Sequence, residues 1–192
     1  MSARLVWGSV DTTYGPLTLG VVVGDHSEVP DLAAARTRTA PATESQPVVV
    51  AAGWTTAIDL AGRLAPSVAS LDTSNEQLPA SVTDLVTQWS RGDLTALDEV
   101  AVWQSGGDFR QRAWYALRDV EAGDVVTYGE LAALAGNPNA ARAAGSACAT
   151  NLVAPFVPCH RVVQAGGAVG NYAYGVARKR ELLASESVVG IR

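Results

Sequence analysis

Apolar and polar positions alternate at the head of the chain. RLVWGSV (4–10) and LTLGVVV (17–23) flank DTTYGP, so the pattern predicts a β-hairpin punctuated at Tyr14-Gly15-Pro16. Residues 27–47, HSEVPDLAAARTRTAPATESQ, show no sustained period and are rich in Pro, Thr, Ser and Ala. They read as a loop or partly mobile insertion with one short helix. VVVAA (48–52) is a further strand, and TTAIDLAGRLAPS a short helix cut by Pro66. In PASVTDLVTQWSRG, Val82, Leu85, Val86 and Trp89 recur at helical spacing, with Gly92 as the stop. The first half is therefore α/β, a small sheet with a few helices.

After Trp103 the texture changes. QSGGD reads as a linker, which sets an N-terminal domain at 1–103 and a C-terminal domain at 104–192. FRQRAWYALRDV places Phe109, Ala113, Leu117 and Val120 on one apolar helix face, with Trp114 beside it, and EAGD ends the helix. TYGELAALAG is a short helix opened by a capping box, Thr127 with Glu130, and closed by Gly136. The turn GNPN follows, with Pro138 suited to the first turn of the next helix, NAARAAGSACAT. Two short helices joined by a tight turn predict a mainly α domain with a helix-turn-helix. The second helix is almost bare, with Arg142 its one long basic side chain. A reader of the major groove would carry several polar side chains. A bare helix suits either a narrower groove with one side chain inserted into the base stack, or tight packing against a neighbouring helix.

Composition changes this picture little. The 192 residues are 48% hydrophobic and 17% charged, enough for one full domain or two small ones. No segment approaches the ~18 uninterrupted apolar residues of a membrane span. MSARLVWGSVDTTYG lacks a secretory signal, so a cytoplasmic protein is expected. Two cysteines and two histidines give neither a disulfide framework nor structural-zinc spacing, so no metal and no cofactor is expected. The net charge of −5 taken alone argues against nucleic acid. Residues 1–103 carry five Lys/Arg against twelve Asp/Glu, or −7, whereas residues 104–192 carry nine against seven, or +2. The C-terminal half is thus permitted to meet a polyanion.

The candidate chemistry sits in FVPCHRVVQAGGAVGNYAYG (156–175). Cys159 is either a buried small hydrophobe or a nucleophile. Pro158 sets it at a defined bend, His160 and Arg161 supply a base and a cation that lower a thiol's pKa, and Gly166, Gly167 and Gly170 let backbone approach a ligand. Cys148, between Ala147 and Ala149, reads as structural. Adjacent residues on an extended chain point apart, so His160 need not touch Cys159 directly, and a bridging water could carry the proton. A carboxylate must then hold the imidazole, and Glu181 or Glu186 could do so.

PCHRVV, preceded by VTYGELAALAGNPNAARAAG and followed by GAVGNYAYGVARKRELLASE, resembles the O6-alkylguanine-DNA alkyltransferases (methylated-DNA–protein-cysteine methyltransferases). The match is close from Phe109 to Glu186 and weaker through VTQWSRGDLTALD and YGPLTLGVVVGD; residues 27–75 match nothing. The resemblance implies a ribonuclease-H-like N-terminal domain and a winged-helix-like C-terminal domain. It implies a DNA repair protein that flips out O6-alkylguanine, chiefly O6-methylguanine, and moves the alkyl group irreversibly to Cys159 in a single turnover. His160 is then the water-mediated base, Glu186 rather than Glu181 its orienting carboxylate, and Asn151 the tie between the helix-turn-helix and the active-site turn. The Tyr128 hydroxyl would reach guanine N3, the Ala173 N–H would reach O6, and the carbonyls of Cys159 and Val162 would accept from the exocyclic amine. Gly170, Tyr172 and Tyr174 complete the substrate pocket. Arg142 would fill the vacated base stack, with Ala143, Gly145 and Ser146 against the minor groove of double-stranded DNA, bound largely without regard to sequence. A monomer is implied, cytoplasmic and on the nucleoid when repairing, with no membrane role.

The ligands of the structural zinc found in some relatives are missing, as is the phosphotriester-accepting domain of the bifunctional bacterial adaptive-response protein. Tyr174 resembles the bulky aromatic of that protein, which implies a narrow pocket that admits methyl and handles benzyl poorly. Three rival readings fit less well. Non-catalytic alkyltransferase-like lesion binders replace the acceptor cysteine. A cysteine hydrolase needs direct Cys–His contact and paired oxyanion donors. A transcription factor needs base-reading side chains that the Ala-rich helix lacks.

Overall fold

The alternating head of the chain forms β1 (Arg4–Thr12) and β2 (Gly15–Val23), paired antiparallel from Arg4↔Val23 to Thr12↔Gly15. The turn is only Thr13-Tyr14, so Gly15 and Pro16, expected as punctuation, belong to β2. Gly15 absorbs the reversal at φ 91. Trp7 lies opposite Gly20, where a Cβ would come within 2.9 Å of the indole ring. In this computed structural model, residues 1–191 are described. The chain divides into two compact units, Met1–Ser105 and one beginning at Gly106, and the break falls two residues beyond the Trp103/Gln104 boundary expected from the linker.

In the first unit the hairpin is the centre of a five-stranded sheet, order β4-β1-β2-β3-β5. β3 (Val48–Gly53) runs antiparallel to β2 and is wholly buried. α1 (Ala57–Ala61) is capped by Thr56, whose side chain accepts from the Asp59 N–H. Pro66 does not cut this helix but opens the next, α2 (Pro66–Ala69), where its fixed φ and missing N–H cost nothing. β4 (Thr73–Ser74) lies parallel to β1, α3 (Ala80–Ser90) packs on β1, and β5 (Ala101–Val102) lies parallel to β3. The patternless segment 27–47 carries a 3-10 helix at Pro30–Ala34. Arg36 exchanges backbone hydrogen bonds with Val102, and Val29, Leu32 and Ala35 join Leu5, Val22, Val48 and Trp103 in the core. Those anchors recur every three residues, the 3-10 period, which a search for 3.6 passes over.

The second unit is mainly helical. α4 (Asp108–Asp119) buries Ala113, Trp114 and Leu117, and the Trp114 indole donates to the Ala147 carbonyl at 2.9 Å. β6 (Val126–Thr127) leads directly into α5 (Tyr128–Leu134) through the expected capping box: Thr127 accepts from the Glu130 N–H at 3.2 Å and Glu130 from the Thr127 N–H at 2.6 Å. Pro138 is outside the next helix. Asn137 holds a turn instead, its side chain accepting from the Asn139 N–H and its carbonyl from the Ala140 N–H, so α6 begins later, at Ala141–Thr150. A 3-10 turn, Cys159–Arg161, precedes β7 (Val162–Val163), which pairs parallel with β6. α7 (Val176–Ser185) follows the glycine-rich wall. Coarsely, then, the molecule is mixed α/β.

Candidate active site

Cys159 opens the 3-10 turn rather than lying on an extended chain. Its N–H donates to Val157 O at 2.8 Å and the Arg161 N–H to Pro158 O at 2.9 Å, which curls the turn and seats the thiol, 6% exposed, at the floor of a cavity of about 410 Å³. Tyr128, Gly145 and Cys148 line that cavity together with Asn171, Tyr172 and Ala173. Asn151, at the end of α6, reaches under the thiol: Nδ2 donates to Val157 O at 2.8 Å and to Cys159 Sγ at 3.1 Å, while Oδ1 accepts from the Val153 N–H at 3.1 Å. One buried amide thus links α6 to the nucleophile turn.

Glu186 caps α7 and points inward, whereas Glu181 faces out near Arg178 at 3.8 Å. The geometry therefore selects Glu186 of the two carboxylates. His160 Nε2 lies 2.9 Å from Glu186 Oε1. Arg161, expected beside the thiol, instead grips both oxygens of Glu186, at 3.0 and 2.9 Å, and the Val120 carbonyl at 2.6 Å. Burial pushes the Glu186 carboxyl up, but hydrogen bonding and charge from His160 and then Arg161 outweigh it and hold the group at about 2. Glu186 is thus a carboxylate that can only accept, so Nε2 carries the ring proton and Nδ1 is free to act as a base. Burial pushes the His160 pKa down against the opposing pull of Glu186, which keeps the imidazole neutral.

The Cys159 thiol is pushed up by burial, against a pull downward from the Asn151 amide and from Lys179. Lys179 is a residue that sequence reading missed. It is wholly buried, and its Nζ donates to the carbonyls of Val162 and Asn171. In the charged run RKR it looks solvated, yet it shares the i, i+3, i+4 face of Leu182 and Leu183. Cys148, read as structural, lines the cavity with Cys159, and burial raises its thiol pKa strongly.

The remaining candidates divide. Tyr128 is half-buried at the cavity, and a Cβ on Gly170 (φ 73) would stand 3.5 Å from its hydroxyl. Burial raises the pKa of that hydroxyl and keeps it protonated. Val162 is fully buried, its carbonyl already accepting a hydrogen bond from Lys179 Nζ. Tyr172 lines the cavity, but Tyr174 is not among the lining residues; it stacks edge-on against Tyr172, ring centroids 5.6 Å apart. Its influence on the pocket is therefore through Tyr172. On α6, Arg142, Ala143 and Ser146 are exposed, whereas Gly145 lies against the Tyr128 ring, on the cavity side. Among the described residues no three His, Cys, Asp or Glu side chains gather as metal ligands.

The family model described as 6-O-methylguanine DNA methyltransferase, DNA binding domain, matches residues 108–188. A methylated-DNA–protein-cysteine methyltransferase of Salmonella typhimurium is 40% identical over 108 residues, 56% of this chain and 63% of that protein. Its human namesake is 53% identical over 85 residues, 44% of this chain and 41% of the human protein. These matches span less than two thirds of either relative. A solved structure of Mycobacterium tuberculosis OGT in complex with DNA superposes with a TM-score of 0.68 at 30% identity, covering 94% of this chain and 92% of that one. A buried cysteine bonded to an asparagine, beside a histidine–glutamate pair in the matched region, thus occurs in a chain that belongs to the O6-methylguanine DNA methyltransferase family.

Proposed function

We propose that this protein repairs DNA by taking the alkyl group of O6-alkylguanine, chiefly O6-methylguanine, onto Cys159. The observation that carries the reading is the ordered set Cys159–Asn151 with His160–Glu186–Arg161 beneath a cavity of about 410 Å³, within the range of small-molecule sites. Glu186 fixes the His160 tautomer, and Nδ1 accepts the thiol proton through a water. The Cys159 thiolate attacks the O-bound alkyl carbon; an S–C bond forms as the C–O bond breaks, and the electron pair leaves on guanine O6. The Ala173 N–H and the Tyr128 hydroxyl are donors for the charge that develops on the leaving base. Nothing in the site removes an alkyl group from sulfur, so each molecule reacts once.

A base inside the stack cannot reach Cys159, so the lesion must be flipped out. α5 and α6 act as the helix-turn-helix of a winged-helix-like domain, laid in the minor groove of double-stranded DNA with Arg142 in the vacated stack. The exposed Ala143 and Ser146 let backbone approach the duplex closely, and Gly145 supports Tyr128 at the pocket mouth. The Met1–Ser105 unit is ribonuclease-H-like, and the protein works as a cytoplasmic monomer. With +2 on the DNA-facing half, binding is modest, salt-sensitive and largely indifferent to sequence. The Tyr172–Tyr174 pair narrows the pocket, so low micromolar O6-benzylguanine is expected to leave Cys159 unreacted, as read by intact mass.

The deciding experiment is intact mass after incubation with duplex DNA carrying one O6-methylguanine, for the native protein and Cys159→Ala. A single methyl mapped to Cys159, with no second turnover, is expected. Lesion-selective binding without a mass change would make the protein a damage sensor, and neither binding nor mass change would sink the repair reading.

A further inference from the structure

Two buried polar atoms at the active site have no hydrogen-bond partner among the described residues, His160 Nδ1 and the Tyr172 hydroxyl. Native interiors seldom leave such atoms unpaired, and two in one enclosure call for a common explanation. Their rings meet edge to face, centroids 6.5 Å apart and planes at 83°. The Tyr172 ring lines the cavity and is braced from behind by Tyr174, so its hydroxyl has little freedom to turn away. Cys159 lines the same cavity as Tyr172, and burial raises the pKa of the Tyr172 hydroxyl well above its ordinary value, so it stays protonated.

Donors and acceptors can be counted. Nδ1 is an acceptor, because Nε2 keeps the ring proton and donates it in a hydrogen bond to Glu186. The Tyr172 hydroxyl is a donor, and so is the Cys159 thiol, whose sulfur already accepts from Asn151. Two donors and one acceptor are what a single water satisfies, accepting twice and donating once.

We propose that the Tyr172 hydroxyl is a positioning residue for proton removal from Cys159, holding by a donated hydrogen bond the water that hands the proton to His160. The proton leaves Sγ for the water oxygen as that water gives one of its own to Nδ1. The imidazolium faces the Glu186 carboxylate, the electron pair stays on sulfur, and Tyr172 keeps its proton throughout. The biological use of this step rests on the alkyl-transfer reading; the step itself concerns only thiol activation.

The test follows Cys159 in the native protein and in Tyr172→Phe, which removes the hydroxyl and keeps the ring. Two rates are measured across neutral and alkaline pH: methyl transfer from O6-methylguanine duplex, and alkylation by iodoacetamide, both mapped to Cys159 by peptide mass. In Tyr172→Phe both rates are expected to fall about tenfold or more at neutral pH. The rising limb should move to higher pH, and the gap should close where hydroxide removes the proton directly. Superimposable pH profiles would overturn the proposal. Native protein that reacts with iodoacetamide but takes no methyl from DNA would remove the repair reading and leave the thiol comparison standing. Should Tyr172→Phe not fold, 3-fluorotyrosine at position 172 keeps ring and hydroxyl while strengthening the donor. Its limb is then expected at lower pH, and an unmoved limb overturns the proposal equally.

Discussion

The Asn151 side chain holds backbone at Val153 and Val157 and donates to the nucleophile as well. The same amide therefore sets the shape of the turn and the acidity of the thiol, and substitutions can separate the two. Asn151→Ala leaves the Val153 N–H buried without its partner and the Val157 carbonyl with the Cys159 N–H alone, which should destabilise the protein by about 2 kcal/mol. Asn151→Asp keeps an oxygen for Val153 but sets a carboxylate against sulfur, which disfavours the thiolate. Denaturant unfolding should rank the Ala variant clearly below native, while iodoacetamide alkylation of Cys159 at neutral pH should be slowest for Asp. An Asp variant as reactive as native would show that the Asn151–sulfur bond has no part in thiol acidity.

α5 shows the same economy, because the residue after its cap is Tyr128 at the pocket. The capping box satisfies backbone donors at both Thr127 and Glu130 and so fixes the first turn from which Tyr128 projects. Thr127→Ala should lower stability by about 1 kcal/mol, and Thr127→Ser should restore most of it. Thermal melts of the three proteins check this, and equal melting for Ala and Ser would refute the capping account. Features of this kind could be read in the sequence, since they join neighbouring segments or residues within one turn: the hairpin, the capping box, α3, α4 and the pairing of α5 with α6. What escaped depends on distant partners or on a different period. Residues 27–47 hide core anchors at three-residue spacing. Lys179 sits in a run that looks solvated until the face of α7 is drawn. Arg161, two residues after Cys159 in sequence, turns to Glu186, 25 residues on. The resemblance of PCHRVV to a known family supplied Glu186 and Asn151 beforehand; spacing alone left Glu181 equally open. Pro66 and Pro138 were misplaced because proline marks a boundary without saying which side of it the helix lies on.

For the molecule as a whole, the buried His160–Glu186–Arg161 cluster makes acid the condition that should tell the two units apart. Glu186 is held at about 2 against an ordinary 4.5, so the folded chain binds its proton less readily than the unfolded chain. Its contribution to stability is whole above about 4.5 and is lost as pH falls from there through about 2. That shift corresponds to about 3 kcal/mol, a large part of an ordinary domain's stability. His160 is also depressed, below 6.5, chiefly by burial, so its contribution too is present above 6.5 and declines below it. Both effects have one sign and both belong to the unit beginning at Gly106. In Met1–Ser105 the carboxylates held low, Asp25 by Ser27 and Asp59 by Thr56 and Thr55, lie at the solvent surface, where screening leaves them little weight. Hydrogen exchange, corrected for the intrinsic rate, should therefore show α7 losing protection between neutral pH and pH 3.5 while β3 keeps most of its own. Glu186→Gln should be less stable than native at neutral pH yet lose less stability than native between about 4.5 and 2, since one of the two groups that titrate is gone and His160 alone remains. Loss of β3 protection ahead of α7, or an undiminished acid response in Glu186→Gln, would mean that the acid weakness lies elsewhere in the molecule.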